Sequence, residues 1–169
     1  MVNLFSSRTA RIERALLPHL DAAHNLARWL VGSPHDADDV VQDACVRALT
    51  FFDGFHGEDG RAWLLAIIRN TCYDWLRKRR NHVPLDEIAM PADTAPGPEA
   101  EQLRQADRQL VRQSIERLPP EFREVIVLRE MEGLSYKQIA RVIDAPIGTV
   151  MSRLARGRKH LERLLGAAQ

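Results

Sequence analysis

Apolar residues recur along most of this chain three and four positions apart, the spacing that gathers them on one face of an α-helix. No stretch alternates with the two-residue period of a half-buried strand, so the pattern predicts an all-α protein. In residues 33–52, SPHDADDVVQDACVRALTFF, Ser33 can cap a helix, Pro34 suits its first position and Asp36 its third. Ala37, Val40, Val41, Ala44, Ala48 and Phe51 or Phe52 then line one face. A preceding amphipathic helix is expected from about Arg11 to Val31. A following one, within GRAWLLAIIRNTCYDWLRKRR, is expected to bury Leu64, Ile67, Ile68, Thr71 and Trp75. Three such helices closing on their apolar stripes make a small domain over residues 1–80.

The pattern stops at NHVPLDEIAMPADTAPGPEAEQ. Pro84, Pro91, Pro96 and Pro98 interrupt helix there, because proline lacks the backbone N–H and clashes with the preceding turn. Residues 81–107 read as an acidic, Pro-containing, flexible linker, with helix resuming near Glu99. Leu118-Pro119-Pro120 stops and restarts helix, and PEFREVIVLREMEG is expected to run as one helix ended by Gly133. Next, Ser135 caps a helix, Gln138 completes a capping box and Leu134 can staple against Ile139. Ile139, Ala140 and Ile143 point inward, and Asp144-Ala145-Pro146 turns the chain. Val150, Leu154, Gly157 and Leu161 form the inner stripe of a second helix, leaving Thr149, Met151, Ser152, Arg153, Arg156 and Lys159 outside or flanking it. That is the build of a helix-turn-helix whose second helix reads the DNA major groove. A solvated basic helix on a small core is the plainer alternative. Either way, residues 108–169 form a second small helical domain.

Composition narrows the function. The 169 residues carry 24 Lys+Arg against 23 Asp+Glu, a formal charge of +1. The balance is uneven along the chain: residues 1–80 hold 11 basic and 10 acidic side chains, residues 81–107 hold 1 and 6, and residues 108–169 hold 12 and 7. This distribution excludes a nonspecific polycation but allows a basic face on each domain. No long apolar run predicts a membrane span, and the start of the chain lacks an export signal, so a cytoplasmic location is expected. Cys45 and Cys72 are far apart, which argues against a disulfide framework or zinc site and for two buried small hydrophobes. No phosphate loop, nucleophile elbow or clustered ligand set is present, so no catalytic site, metal or cofactor is expected.

Three segments in this order, GSPHDADDVVQDACVRAL, RAWLLAIIRNTCYDWLRKRR and LPPEFREVIVLREMEGLSYKQIARVIDAPIGTVMSRLARGRKHL, resemble regions 2 and 4 of the bacterial sigma-70 family. The short chain, with only a linker between them, resembles the extracytoplasmic-function group. The resemblance implies two helical domains, region 2 and region 4, and the role of an alternative sigma factor. Such a protein binds core RNA polymerase and recognises a duplex −35 element and a melted −10 element; an anti-sigma factor holds it in check. On this chain it implies that Asp38, Asp39, Gln42 and Asp43, with Val46 beside them, meet the polymerase, where carboxylates on one exposed helix face can pair with a basic partner.

For the −10 element the resemblance points to the loop FDGFHGEDG, where Phe55 or His56 either stacks on an extruded base or anchors the loop. It adds Arg61, Arg69, Asn70, Arg77, Lys78, Arg79 and Arg80 on the following helix. For the −35 element it implies Lys137, Thr149, Met151, Ser152, Arg153, Arg156 and Lys159. The chain departs from the family pattern at Asp144, where Gly is frequent, and at Met151, where Lys is frequent. Asp tolerates the left-handed turn, and the second change bears on −35 preference. Two other classes fit parts of the pattern: a helix-turn-helix regulator acting without polymerase, and an adaptor that mimics sigma domains. Neither explains both the acidic helix and the basic recognition helix.

Overall fold

The computed structural model describes residues 2–57, 59–81 and 99–167. They form eight α-helices, with no strand among the described residues. The first four are α1 (Val2–Leu16), α2 (Leu20–Val31), α3 (Pro34–Phe51) and α4 (Gly60–Arg80). Local chemistry sets their ends. Gly32 closes α2 at φ 85°, a left-handed conformation that costs glycine nothing. Ser33 Oγ then accepts the Asp36 N–H at 3.4 Å to start α3, and Asp59 accepts the Ala62 N–H at 3.0 Å to start α4. The single helix expected from Arg11 to Val31 is instead broken by a 3-10 turn at Leu17–His19. Pro18 supplies no N–H and cannot continue the α1 ladder.

Helices α2, α3 and α4 pack around Leu26, Leu30, Val40, Val41, Leu64, Leu65 and Ile68, all buried. The stripe expected on α4 is rotated: Leu65 and Cys72 are buried, whereas Ile67 and Trp75 are only partly covered. Burial pushes the Cys72 thiol up to about 12, so it is an inert hydrophobe; Cys45 is half-buried. Gly60 marks the tightest approach, since a Cβ there would lie 2.4 Å from the Ala15 carbonyl oxygen.

The second half contains α5 (Glu99–Glu116), α6 (Pro120–Ile126), α7 (Tyr136–Ile143) and α8 (Ile147–Gly166). The helix expected from Pro120 to Gly133 widens into a π-type turn at Val127–Met131. Four consecutive residues, Val125 to Leu128, are buried there. In a helix these point to nearly every side, so the segment is enclosed rather than amphipathic. Helix α2 lies on one side of it and α8 on the other. Gly133, at φ 68°, ends the segment. The capping box is formed in full: Ser135 Oγ accepts from Gln138 N at 3.1 Å and Gln138 Oε1 from Ser135 N at 2.9 Å. Asp144 turns the chain at φ 51°. Ile139, Val142, Ile143, Val150 and Leu154 close the domain core, with Ala140 and Leu161 at its margin.

The linker expected between the halves lies, from residue 82 to 98, outside the described residues. The halves themselves touch: α4 packs on α7 and α2 on α6, and their buried side chains form one continuous cluster.

Two stability predictions follow from these close approaches. Gly60→Ala forces a Cβ onto rigid backbone, and urea unfolding should show a loss of about 1–3 kcal/mol. Asp144→Gly removes left-handed strain and should unfold at equal or higher urea, by up to about 1 kcal/mol, while Asp144→Val should unfold earlier.

Candidate nucleic-acid interface

Three surfaces carry the residues singled out above. The first is the outer face of α3. Ala37, Val40, Val41, Ala44 and Ala48 face the core, which leaves Asp38, Asp39, Gln42 and Asp43 in solvent. Asp43 is held by Arg47 at 3.1 Å, and Arg47 reaches Asp74 on α4 at 3.0 Å. These carboxylates hold the Arg47 pKa up, and Arg47 together with Arg77 holds Asp74 below the usual carboxylate range. The same face continues into apolar residues: Val46, implied by the resemblance, is 61% exposed, and beside it Leu49 is 44% and Phe51 66% exposed. Large apolar groups open to water beside carboxylates suit a partner that covers both.

The second surface is the loop before α4 and the exposed side of that helix. Phe55 packs on Phe52 and Trp63, with ring centroids 5.7 and 4.9 Å apart. His56 is exposed. Both line a cavity of about 330 Å³ with Asp59, Trp63 and Arg141. Phe55 therefore anchors the loop and also presents an aromatic wall to the cavity. Burial alone would raise the Asp59 pKa; its bonds from the Ala62 N–H and the Gln138 amide outweigh that and hold it low.

Of the α4 residues singled out, Asn70 and the basic Arg77, Lys78 and Arg80 are exposed, with Arg77 against Asp74. Arg79 is drawn back to Asp36 at 3.3 Å and lies over the Trp75 ring. Arg61 and Arg69 are turned toward the second half of the chain. Arg61 donates to the Glu132 carbonyl and sits 3.3 Å from its carboxylate. Arg69 grips both carboxylate oxygens of Glu124, at 2.8 and 3.2 Å, and lies over the Tyr73 ring.

The third surface is the helix-turn-helix. Lys137, Met151, Ser152, Arg156 and Lys159 are exposed and Thr149 is half-buried; Ser152 Oγ donates to the Thr149 carbonyl at 3.1 Å. Arg153 stands apart from them, because its guanidinium turns inward to Glu124 at 3.3 Å. Sequence reasoning did not single out Glu124, Arg123 or Arg141. Glu124 is fully buried between Arg69 and Arg153. Arg123 donates to the carbonyls of Ile115, Glu116, Leu118 and Trp29, tying α5 and α2 to α6. An Arg-Glu pair at the start of a helix has no local signal that distinguishes it from a solvated one.

Comparison with known proteins agrees with this geometry. Residues 16–82 match the description Sigma-70 region 2, and residues 108–161 match Sigma-70, region 4. The ECF RNA polymerase sigma-E factor of Escherichia coli strain K12 is 36% identical over 138 residues, covering 75% of this chain and 72% of that one. The ECF RNA polymerase sigma factor SigE of Mycolicibacterium smegmatis is 33% identical over 151 residues; the match takes in 87% of this chain but 58% of the relative. Among solved structures, the sigma factor RpoE of Bartonella quintana, in complex with the anti-sigma factor NepR, superposes with a TM-score of 0.74. It is 28% identical, with 94% of this chain and 99% of that one covered. CnrH, in complex with the cytosolic domain of CnrY, gives a TM-score of 0.65 at 28% identity, covering 99% and 93%. With regions 2 and 4 in the same order and a helix-turn-helix at the end, this chain belongs to the ECF group of the sigma-70 family of RNA polymerase sigma factors.

Proposed function

We propose that this protein is an alternative sigma factor: it joins core RNA polymerase and directs initiation at promoters whose −10 and −35 elements it recognises. The observation that carries the reading is the presence on one chain of an exposed carboxylate and apolar face on α3 and an exposed basic face on the helix-turn-helix. A regulator acting alone would use the second and leave the first without purpose.

In this reading Asp38, Asp39, Gln42 and Asp43, with Val46 and Leu49, dock on basic and apolar residues of the polymerase. The N-terminal end of α8 enters the −35 major groove with Thr149, Met151 and Ser152, while Arg156, Lys159 and Lys137 contact bases or phosphates. The cavity between Phe55, His56 and Trp63 takes an extruded −10 base. Stacking of that kind is worth about 1–3 kcal/mol per base and offsets unpairing without nucleotide hydrolysis. Asn70, Arg77, Lys78 and Arg80 follow the melted strand, joined by Arg61 and Arg69 when region 4 releases them. The polymerase performs the bond-forming chemistry, and the protein works beside it in the cytoplasm. An anti-sigma factor is the expected inhibitor, as the neighbours RpoE and CnrH are each seen with such a partner or with a cytosolic domain bound. No helix among the described residues is long and apolar enough to cross a membrane.

The test is transcription by sigma-free bacterial core polymerase on fragmented genomic DNA, with and without this protein, followed by sequencing of transcript starts. Discrete new starts sharing two upstream motifs are expected. No starts and no complex with core would end the sigma reading and favour an operator-binding regulator or an adaptor. Two variants separate the surfaces. Asp39→Arg should weaken core binding about tenfold or more, equivalent to ~1.4 kcal/mol, with start-site choice unchanged at saturating protein. Arg156→Glu should keep core affinity within about twofold while initiation falls about tenfold or more. Arg153→Glu is the poorer probe. It sets a second carboxylate against buried Glu124, so an unfolding transition several kcal/mol weaker should accompany its loss of activity.

A further inference from the structure

We propose that this chain selects its −35 element partly through the C5 methyl groups of thymine, read by an apolar line on α8 made of Ile147, Met151 and Ala155. This rests on the sigma-factor reading and names what the recognition helix distinguishes. The three residues stand four apart, so they share one side of the helix. Ile147 is 45% exposed and Met151 53%, and Ala155 is exposed as well. The core stripe of α8, Val150, Leu154 and Gly157, is buried on another side. The fold therefore makes little use of the apolar line, which sits at the end of α8 that enters the major groove.

The polar groups beside this line are few. Ser152 Oγ donates its hydrogen to the Thr149 carbonyl, which leaves it only acceptor capacity toward a base. Arg153 is turned inward to Glu124. Arg156, Lys159 and Lys137 are exposed, and their charges suit phosphates and guanine edges. Gly148 follows Ile147, and a Cβ added there would meet nothing within 4 Å. Packing does not require a glycine at that position, and its bare backbone lets a base-pair edge come up to the helix. No side chain caps α8 at Pro146 and its first turn holds no carboxylate, which leaves that end open to a phosphate beside the groove.

The chemistry of the groove then decides the base. Among the groups that base pairs present there, the thymine C5 methyl is the apolar one. Over a guanine, adenine or cytosine edge, Ile147 and Met151 would strip water from nitrogen or oxygen atoms and return no hydrogen bond. Over thymine they cover a methyl, and both apolar surfaces leave water together. Four residues of helix rise about 6 Å, close to two base-pair steps of about 3.4 Å. That spacing lets Ile147 and Met151 meet different base pairs of one short run.

The test removes the methyl and nothing else. A promoter found among the genomic starts is rebuilt with each thymine of its −35 element, on either strand, replaced singly by deoxyuridine. Initiation is then measured at limiting core polymerase carrying the full-length protein. At one or two thymines the replacement should lower initiation about fourfold, the worth of one buried methyl-sized group. Met151→Ala and Ile147→Ala should each bring the thymine-to-deoxyuridine ratio at one of those positions down to about one. The ratio is taken within one protein preparation, so a loss of folded protein cancels from it. Equal initiation from thymine and deoxyuridine at every position, or a −35 element without thymine, would overturn the proposal while leaving the sigma reading intact. A ratio unchanged in both variants would overturn it too, because the methyl would then act through the shape of the duplex. If no promoter yields starts with the unsubstituted protein, the sigma reading fails and this inference fails with it.

Discussion

A carboxylate with no exposure to solvent sits at the centre of this molecule. Glu124 lies where α4, α6 and α8 meet, and an ionised group there would cost several kcal/mol if left without partners. It has two. Arg69 comes from region 2 and supplies a two-pronged grip; Arg153 comes from the recognition helix. Removing either cation leaves a buried charge with half its compensation. The position of region 4 against region 2, the inward turn of Arg153 and the orientation of Arg69 over Tyr73 are all tied to this one group.

That constraint divides the basic residues into two populations. Arg61, Arg69, Arg79, Arg123 and Arg153 are spent on carboxylates and carbonyls inside the fold. Lys78, Arg80, Lys137, Arg156 and Lys159 face solvent. A chain of net charge +1 can therefore present local basic faces without coating DNA indiscriminately. Region 4 keeps its outward groups exposed at the entrance of α8, whereas two of region 2's cations are paired with carboxylates of the other domain.

The contact between the halves is chemically mixed. Beside the apolar packing, it is made of ion pairs and hydrogen bonds to side chains that water or nucleic-acid phosphates can also satisfy. A purely apolar seam of equal extent would have no such substitute ligand.

Much of the fold was legible in the sequence because its signals are local. Ser33, Asp144, Ser135 with Gln138, and Gly133 each set a helix end through bonds or backbone angles within a few residues, and each does so in the structure. The inner stripe of α8 followed from period alone, as did the solvent position of Asp38, Asp39, Gln42 and Asp43. Sequence erred where a local rule met a tertiary one. The stripe of α4 is rotated because region 4 covers a second side of that helix, and the Val127–Met131 turn departs from a regular helix where both sides are buried. The destinations of Arg61, Arg69 and Arg153 were beyond sequence altogether. An arginine's reach and charge are the same whether it meets a phosphate or a carboxylate. Only the approach of residue 69 to residue 124, across 55 positions of chain, decides which one it holds.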